Sequence, residues 1–243
     1  MTGAGSPLGL GRAYALALAK EGCSVVVNDI NDSADQVANE ITDAGGKAVA
    51  AVAKIGTRSA GEMLVNTAVE AFGRIDILVN NAGIVSFAKV AELDEARWDE
   101  VFNVHVKGTA FCTSPAVKWM IDNQVKGKII NVTSTAGMYG EPSGGSDYCG
   151  AKAAIIGMTK THSRELAEHG ICVNAIAPGA LTMDITKMPP AFKEVADKMT
   201  ATSVVQRVGR PDDVTPLITF LASDDASYIT GQIIAATGNS GVV

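Results

Sequence analysis

The sequence predicts an α/β protein built on a doubly wound parallel sheet, and three observations predict it. Short β-branched apolar runs alternate along the chain with longer stretches of helical length and period, the pattern of successive βαβ units. The runs are apolar without strict alternation, as expected of strands covered by helices on both faces. No repeat, low-complexity tract or linker divides the 243 residues, so residues 1–243 are read as a single domain.

In chain order, the predicted strands are SVVV (24–27), AVAAVA (48–53), DILVN (76–80), KIINV (128–132), CVNAIA (172–177) and GQIIAA (231–236). Helical patterns fill the intervals. The least regular piece is PGALTMDITKMPPAFKEVADKMTATS (178–203), with Met183, Met188, Met199 and a Pro-Pro pair. Its place directly after a strand suits a substrate lid over residues 180–203; a long surface loop with a short helix is the other reading.

Composition excludes several classes of function. The formal net charge is −6 and the Lys and Arg residues are scattered, so a nucleic acid partner has no electrostatic footprint. No stretch approaches the ~20 apolar residues of a membrane span. Cys23, Cys112, Cys149 and Cys172 lie far apart, without the close pairs of metal sites or redox motifs. Free thiols and no leader-like start give a cytoplasmic expectation, with no metal.

The opening MTGAGSPLGLGRAYALALAKEG places Gly5, Gly9 and Gly11, with Leu10 between the last two, ahead of a helical pattern. Glycines let a backbone approach a pyrophosphate, and a helix N-terminus supplies unpaired N–H groups and partial positive charge. The strand SVVVN follows, then Asp29, 18 residues after Gly11. A carboxylate there accepts from both ribose hydroxyls of an adenosine and repels a 2′-phosphate, so NAD is expected over NADP. The neighbouring Ile30 agrees, since a phosphate-reading site would want a basic residue. Asp29 has a plainer alternative as a strand-terminal turn residue.

Further along, Tyr148 and Lys152 stand four apart where a helical pattern begins, on one helix face. A phenol of pKa ~10 works as an acid/base near neutrality only if its anion is stabilised, and an ammonium and a cationic nicotinamide can do this. Ser134 ends the strand KIINVTS and is suited to hold a carbonyl oxygen while Tyr148 exchanges the proton.

With these residues and DILVNNAG (76–83), YCGAK (148–152), VNAIAPGA (173–180) and GRPDDVTPLITFLASDDASYITGQ (209–232), the sequence resembles the short-chain dehydrogenase/reductase family along nearly its whole length. The resemblance implies a Rossmann-type domain, usually in a homotetramer, that moves hydride between NAD(P) and a small-molecule alcohol or ketone. Tyr148 would be the acid/base, Ser134 the carbonyl-oxygen donor, and Lys152 the residue that tunes Tyr148 and binds the nicotinamide ribose. Asn81, Ala82 and Gly83 would run beside the cofactor. Pro178, Gly179 and Thr182 would border the nicotinamide amide.

Three departures from the family pattern stand out. The opening strand is cut down to Met1, which predicts two unpaired neighbours, a slot in the core and an incomplete N-terminus. Either Thr2-Gly3 is the family's Thr-Gly pair and the turn is two residues longer than usual, or Ala4-Gly5 takes its place. A helix asparagine that serves the family's proton relay falls at His105, either a substitute relay or a packing residue. The acid that usually caps adenine falls at Lys54.

The leading functional expectation is an NAD-dependent oxidoreductase interconverting a secondary alcohol and a ketone. A 3-oxoacyl-(acyl-carrier-protein) reductase is the enzyme alternative, and it would ordinarily take NADPH. A non-catalytic binding or scaffold protein on the same fold is the third.

Overall fold

The computed structural model describes residues 1–141, 143–179, 181, 200–201 and 203–239. The proposed lid falls largely, and Thr182 entirely, outside the described residues. The chain runs through α1 (Leu10–Lys20), β1 (Ser24–Asp29), α2 (Ser33–Asp43), β2 (Lys47–Val52), α3 (Arg58–Phe72) and β3 (Ile77–Asn80). Next come α4 (Glu95–Phe102), α5 (Gly108–Asp122), β4 (Lys128–Val132), α6 (Ala136–Tyr139) and α7 (Ser146–Glu165). The last elements are β5 (Cys172–Pro178), α8 (Thr215–Ala222) and β6 (Ile233–Ala236). Each predicted run is a strand, with bounds moved by two residues at most.

Every strand pair is parallel. The order β3-β4-β5-β6 forms one sheet and β1-β2 another, in registers such as Val26 opposite Val49, Val79 opposite Ile130, and Ile176 opposite Ile234. Helices cover both faces because the strands are apolar on both. Tyr14 and Leu18 of α1 and Ile218 and Leu221 of α8 pack with Val79, Ile130 and Ile176. On the other face Val65 of α3 and Met120 of α5 pack with Leu78, Ile129 and Val173. The fold is thus α/β with helices wound on both sides of parallel strands, as the sequence predicts. No helix among the described residues is long and apolar enough to cross a membrane.

The two sheets meet through the first residues of the chain. The Met1 amine donates to the Val26 carbonyl at 3.1 Å and the Met1 carbonyl accepts from Asn28 N–H at 3.0 Å. On the other side Thr2 N–H reaches the Val79 carbonyl at 3.0 Å. These residues are a strand stub wedged between β1 and β3, at the end where the strands deliver their C-termini. Behind the stub the two edges part around a cavity of about 420 Å³ lined by Met1, Val26, Ile77 and Leu78.

The stub also decides between the two readings of the turn. Thr2 Oγ1 accepts from the N–H groups of Asn81 and Ala82 at 3.0 and 3.2 Å. Gly3 follows with φ +61°, so close that a Cβ would lie 2.5 Å from Ala82 Cα. Thr2-Gly3 therefore fills the Thr-Gly place and the turn is the longer form.

Candidate active site

The C-terminal ends of the strands and the glycine turn enclose a cleft of about 650 Å³, within the usual range of ligand sites. Gly9, Leu10, Gly11 and Asp29 line one end. Asn81, Ala82, Gly83, Pro178 and Gly179 line the middle, and Ser134, Tyr148, Lys152 and His105 the far side. The structure thus brings together all the predicted site residues except Gly5, which is not on the wall, and Thr182, which is outside the described residues.

At the adenosine end, α1 starts after Gly9 in extended conformation with no side-chain cap, leaving its first N–H groups to a ligand. Asn81 Nδ2 ties the turn down by donating to the carbonyls of Thr2 and Gly3 at 3.0 and 2.9 Å. Asp29 Oδ2 accepts from Gly5 N–H at 2.8 Å and Oδ1 from Ile30 N–H at 2.7 Å. The Gly5 amide thus holds the Asp29 carboxylate, and a Cβ there would stand 2.7 Å from Ala34 N of α2 and 2.8 Å from Asp29 Cβ. Each Asp29 oxygen keeps lone pairs for a ribose hydroxyl. Lys54 is exposed on the same rim. Gly3 also lines the cleft and is absent from the predicted set; the Thr-Gly pair is the signal that points to it.

At the reacting end, Ser134 follows β4 and its Oγ accepts from Ala136 N–H at 3.2 Å. Tyr148 lies in the first turn of α7, whose neighbour Asp147 accepts the Tyr148 N–H at 2.8 Å. Burial pushes the Tyr148 phenol above its ordinary value, while the hydrogen bond to Ser134 pulls it down in part. On balance the shift is upward, opposite in sign to the lowering that an acid/base near neutrality needs.

Lys152 is one turn on, its Nζ 5.7 Å from the Tyr148 ring centroid and donating to the Val132 carbonyl at 2.8 Å. Burial pulls its amine down from 10.5 to about 7. Between those two values the unfolded chain binds more protons than the folded one, so stability rises with pH across that window. The wild type is expected to gain on a Lys152→Met variant by up to about 1.4 kcal/mol per pH unit above pH 7. Urea unfolding from pH 7 to 9.5 checks this; parallel curves for the two proteins would refute it.

His105 sits in a π-helical turn, Asn103–Lys107, between α4 and α5. Such a turn rotates one residue out of the regular helical order and is frequent at functional sites. His105 is buried, with Nε2 between the Ile84 carbonyl (2.8 Å) and the Ile84 N–H (3.1 Å). Its ring lies edge-on to Tyr148 at 5.5 Å, and Nδ1 is buried with no partner among the described residues. Burial, and after it the charge of Lys152, pulls the imidazole down to about 3. The ring is held neutral at ordinary pH. Gly83 makes room for it, since a Cβ there would overlap His105 Cε1.

The family model described as "Enoyl-(Acyl carrier protein) reductase" matches residues 3–238. A 3-oxoacyl-(acyl-carrier-protein) reductase of Thermotoga maritima is 41% identical over 240 residues, covering 98% of this chain and 95% of that protein. A subunit of a (hydroxy(phenyl)methyl)succinyl-CoA dehydrogenase of Thauera aromatica is 37% identical over 239 residues, covering 96% and 93%. The crystal structure of a short-chain type dehydrogenase/reductase from Mycobacterium marinum superposes with a TM-score of 0.90 at 31% identity, covering 100% of this chain and 94% of that one. With this likeness over nearly the whole chain, the protein belongs to the short-chain dehydrogenase/reductase family and is an oxidoreductase of that family.

Proposed function

We propose that the protein interconverts a 3-oxo and a 3-hydroxy acyl thioester, using NAD(H) in preference to NADP(H). The expectation of a simple alcohol or ketone gives way because the relatives named above carry thioester substrates in their names, an acyl-carrier-protein ester in one and a coenzyme A ester in the other. The observation that carries the reaction type is the convergence of Ser134, Tyr148 and Lys152 on the cleft that holds the glycine turn.

The residues present fit a dinucleotide. The close packing at Gly3 and Gly11 leaves no room for a Cβ, the uncapped α1 N-terminus suits a pyrophosphate, and the Asp29 carboxylate suits an unphosphorylated ribose. When bound, the nicotinamide supplies or takes the hydride. In reduction, Ser134 Oγ donates a hydrogen bond to the substrate carbonyl oxygen, and Tyr148 gives that oxygen its proton as the carbinol forms. Lys152 holds the nicotinamide ribose and favours the phenolate left behind. His105 acts as a positioning residue: its Nε2 fixes the Ile84 main chain and its edge supports Tyr148. Its unpartnered Nδ1 leaves one site for a water. The protein works as a homotetramer in the cytoplasm on this reading.

A fluorescence titration with NADH and NADPH tests the cofactor assignment, with NADH expected to bind at least tenfold more tightly and Asp29→Asn to narrow the gap. Equal or reversed affinities would remove it. NADH oxidation with acetoacetyl-CoA, against simple cyclic ketones, tests the substrate class; turnover of the ketones alone would overturn the thioester reading.

His105 carries a further expectation. A neutral ring predicts that His105→Asn keeps at least a third of kcat and leaves the pH profile between 5 and 8 unchanged. Loss of an inflection near pH 6.5 in the variant would show that the imidazole titrates during turnover.

A further inference from the structure

Lys128 and Cys172 are two nucleophilic side chains that the reaction does not use. They are the first residues of β4 and β5 and stand opposite each other in the parallel register, at the end of the sheet away from the cleft. Paired positions on neighbouring strands send their side chains to one face. Here Lys128 Nζ comes to 3.7 Å from Cys172 Sγ, the two residues being 7% and 9% exposed. A buried amine ordinarily has oxygen acceptors around it. Among the described residues the sulfur is the only hydrogen-bond partner of Lys128 Nζ, and no carboxylate lies within ion-pair reach of it.

The Cys172 thiol in turn donates to the Ser227 carbonyl at 3.5 Å. Ser227 and its neighbour Tyr228 are exposed, so the pair sits directly beneath the surface, within reach of a small oxidant. Thiols that react with peroxides lie beside a cation, whereas thiols in apolar or anionic surroundings are inert. The other three cysteines are of the second kind. Burial pushes the Cys112 thiol up to about 11. Burial also raises Cys23 and Cys149, assisted by the charges of Asp76 and Glu21 at the first and of Glu141 and Asp147 at the second. Among the described residues Cys172 alone has a lysine nitrogen at hydrogen-bond distance from its sulfur.

We propose that Lys128 and Cys172 form a redox modification site, in which hydrogen peroxide oxidises the thiol and the lysine amine traps the product as a sulfur–nitrogen link. In the first step sulfur attacks the peroxide. The O–O bond breaks, sulfur takes one oxygen and becomes a sulfenic acid, and the other oxygen leaves as water with the thiol proton. Sulfur has lost two electrons and the peroxide has gained them. In the second step Lys128 Nζ attacks that sulfur. The S–N bond forms and the S–O bond breaks; the hydroxyl leaves as water with one ammonium proton, and a second proton passes to solvent. This condensation needs no further oxidant. The product is a sulfenamide that joins β4 to β5 and holds the sulfur short of the irreversible sulfinic acid, so a thiol reductant returns both side chains. The strands are already paired at these residues, and rotation of the lysine stem closes the gap.

The full folded chain is treated with hydrogen peroxide, its remaining thiols are alkylated, and its tryptic peptides are weighed. Trypsin does not cut at a linked lysine, so the expected product joins residues 127–152 to residues 165–187 and is two hydrogens lighter than the separate peptides. Dithiothreitol added before alkylation is expected to abolish it and to restore an alkylatable Cys172. Lys128→Arg keeps a cation beside the sulfur and removes the amine, and Lys128→Met keeps only the buried stem. In either variant the linked product is expected to be lost, with Cys172 carried on to sulfinic acid that dithiothreitol does not reverse. Absence of the linked product from the wild type, whether Cys172 stays a thiol or oxidises irreversibly, would overturn the proposal. Full recovery of the Cys172 thiol by dithiothreitol in a folded variant would overturn the trapping role of Lys128. Mass is the readout and turnover is not, so a failure of the functional reading leaves this test intact.

Discussion

Tyr148→Phe is expected to lower kcat by about a hundred- to ten-thousand-fold, the usual contribution of a positioned acid/base, while NADH affinity stays within about twofold of wild type. The two halves of this expectation have separate causes. The phenol hydroxyl is the only part removed, and it is the group that the mechanism uses to deliver the proton. The ring remains, so the edge contact with His105 and the packing over Lys152 remain too. On the proposed reading cofactor binding rests on the glycine turn, Asp29 and Lys152, and the hydrogen bonds that hold Asp29 and Lys152 do not involve the hydroxyl. Stopped-flow hydride transfer and a parallel NADH titration separate the two. A variant with wild-type turnover would show that Tyr148 is not the acid/base. Wild-type protein with no turnover on any thioester or ketone, yet full NADH binding, would favour the scaffold reading.

The same pair of residues shows how far the sequence reaches. The four-residue spacing of Tyr148 and Lys152 places both on one face of α7, and that much is local geometry. Where the ammonium goes is not local: Lys152 Nζ turns to the Val132 carbonyl of β4, 20 positions away in sequence. The strands are legible because burial on both faces writes a continuous apolar run. The π-helical turn that carries His105 is not, since one extra residue in a long helix leaves no compositional mark. The register of the glycine turn is equally hidden. It depends on Thr2 Oγ1 meeting the amides of Asn81 and Ala82, contacts across most of the first half of the chain. Glycine spacing alone cannot say whether the Gly5 amide faces a ligand or a neighbouring carboxylate; in the structure it bonds Asp29.

Gly11→Ala is expected to destabilise the protein by about 2–4 kcal/mol and to weaken NADH binding at least tenfold. A Cβ at Gly11 would collide with the Gly3 carbonyl oxygen and stand 2.5 Å from Asn81 Nδ2 and 2.9 Å from Ala4 Cα. All three neighbours are fixed. Ala4 N–H is bonded to the Asn28 carbonyl at 2.8 Å and Thr2 N–H to Val79 at 3.0 Å, so the turn cannot lift without breaking the stub that joins the sheets. If it does lift, the bonds from Asn81 Nδ2 to Thr2 and Gly3 go with it, at about 1 kcal/mol each. The cleft loses its floor at the same moment, because Gly3 and Gly11 both line it. A helical glycine with free space supplies the contrast. A Cβ added at Gly157 in α7 would meet no atom within 4 Å, so Gly157→Ala is expected to stabilise by up to ~1 kcal/mol through helix propensity alone. Denaturant unfolding of the two variants beside the wild type should therefore move in opposite directions. If Gly11→Ala melts with the wild type and binds NADH normally, the turn is more yielding than its hydrogen bonds imply, and the anchoring assigned to Thr2 and Asn81 is wrong.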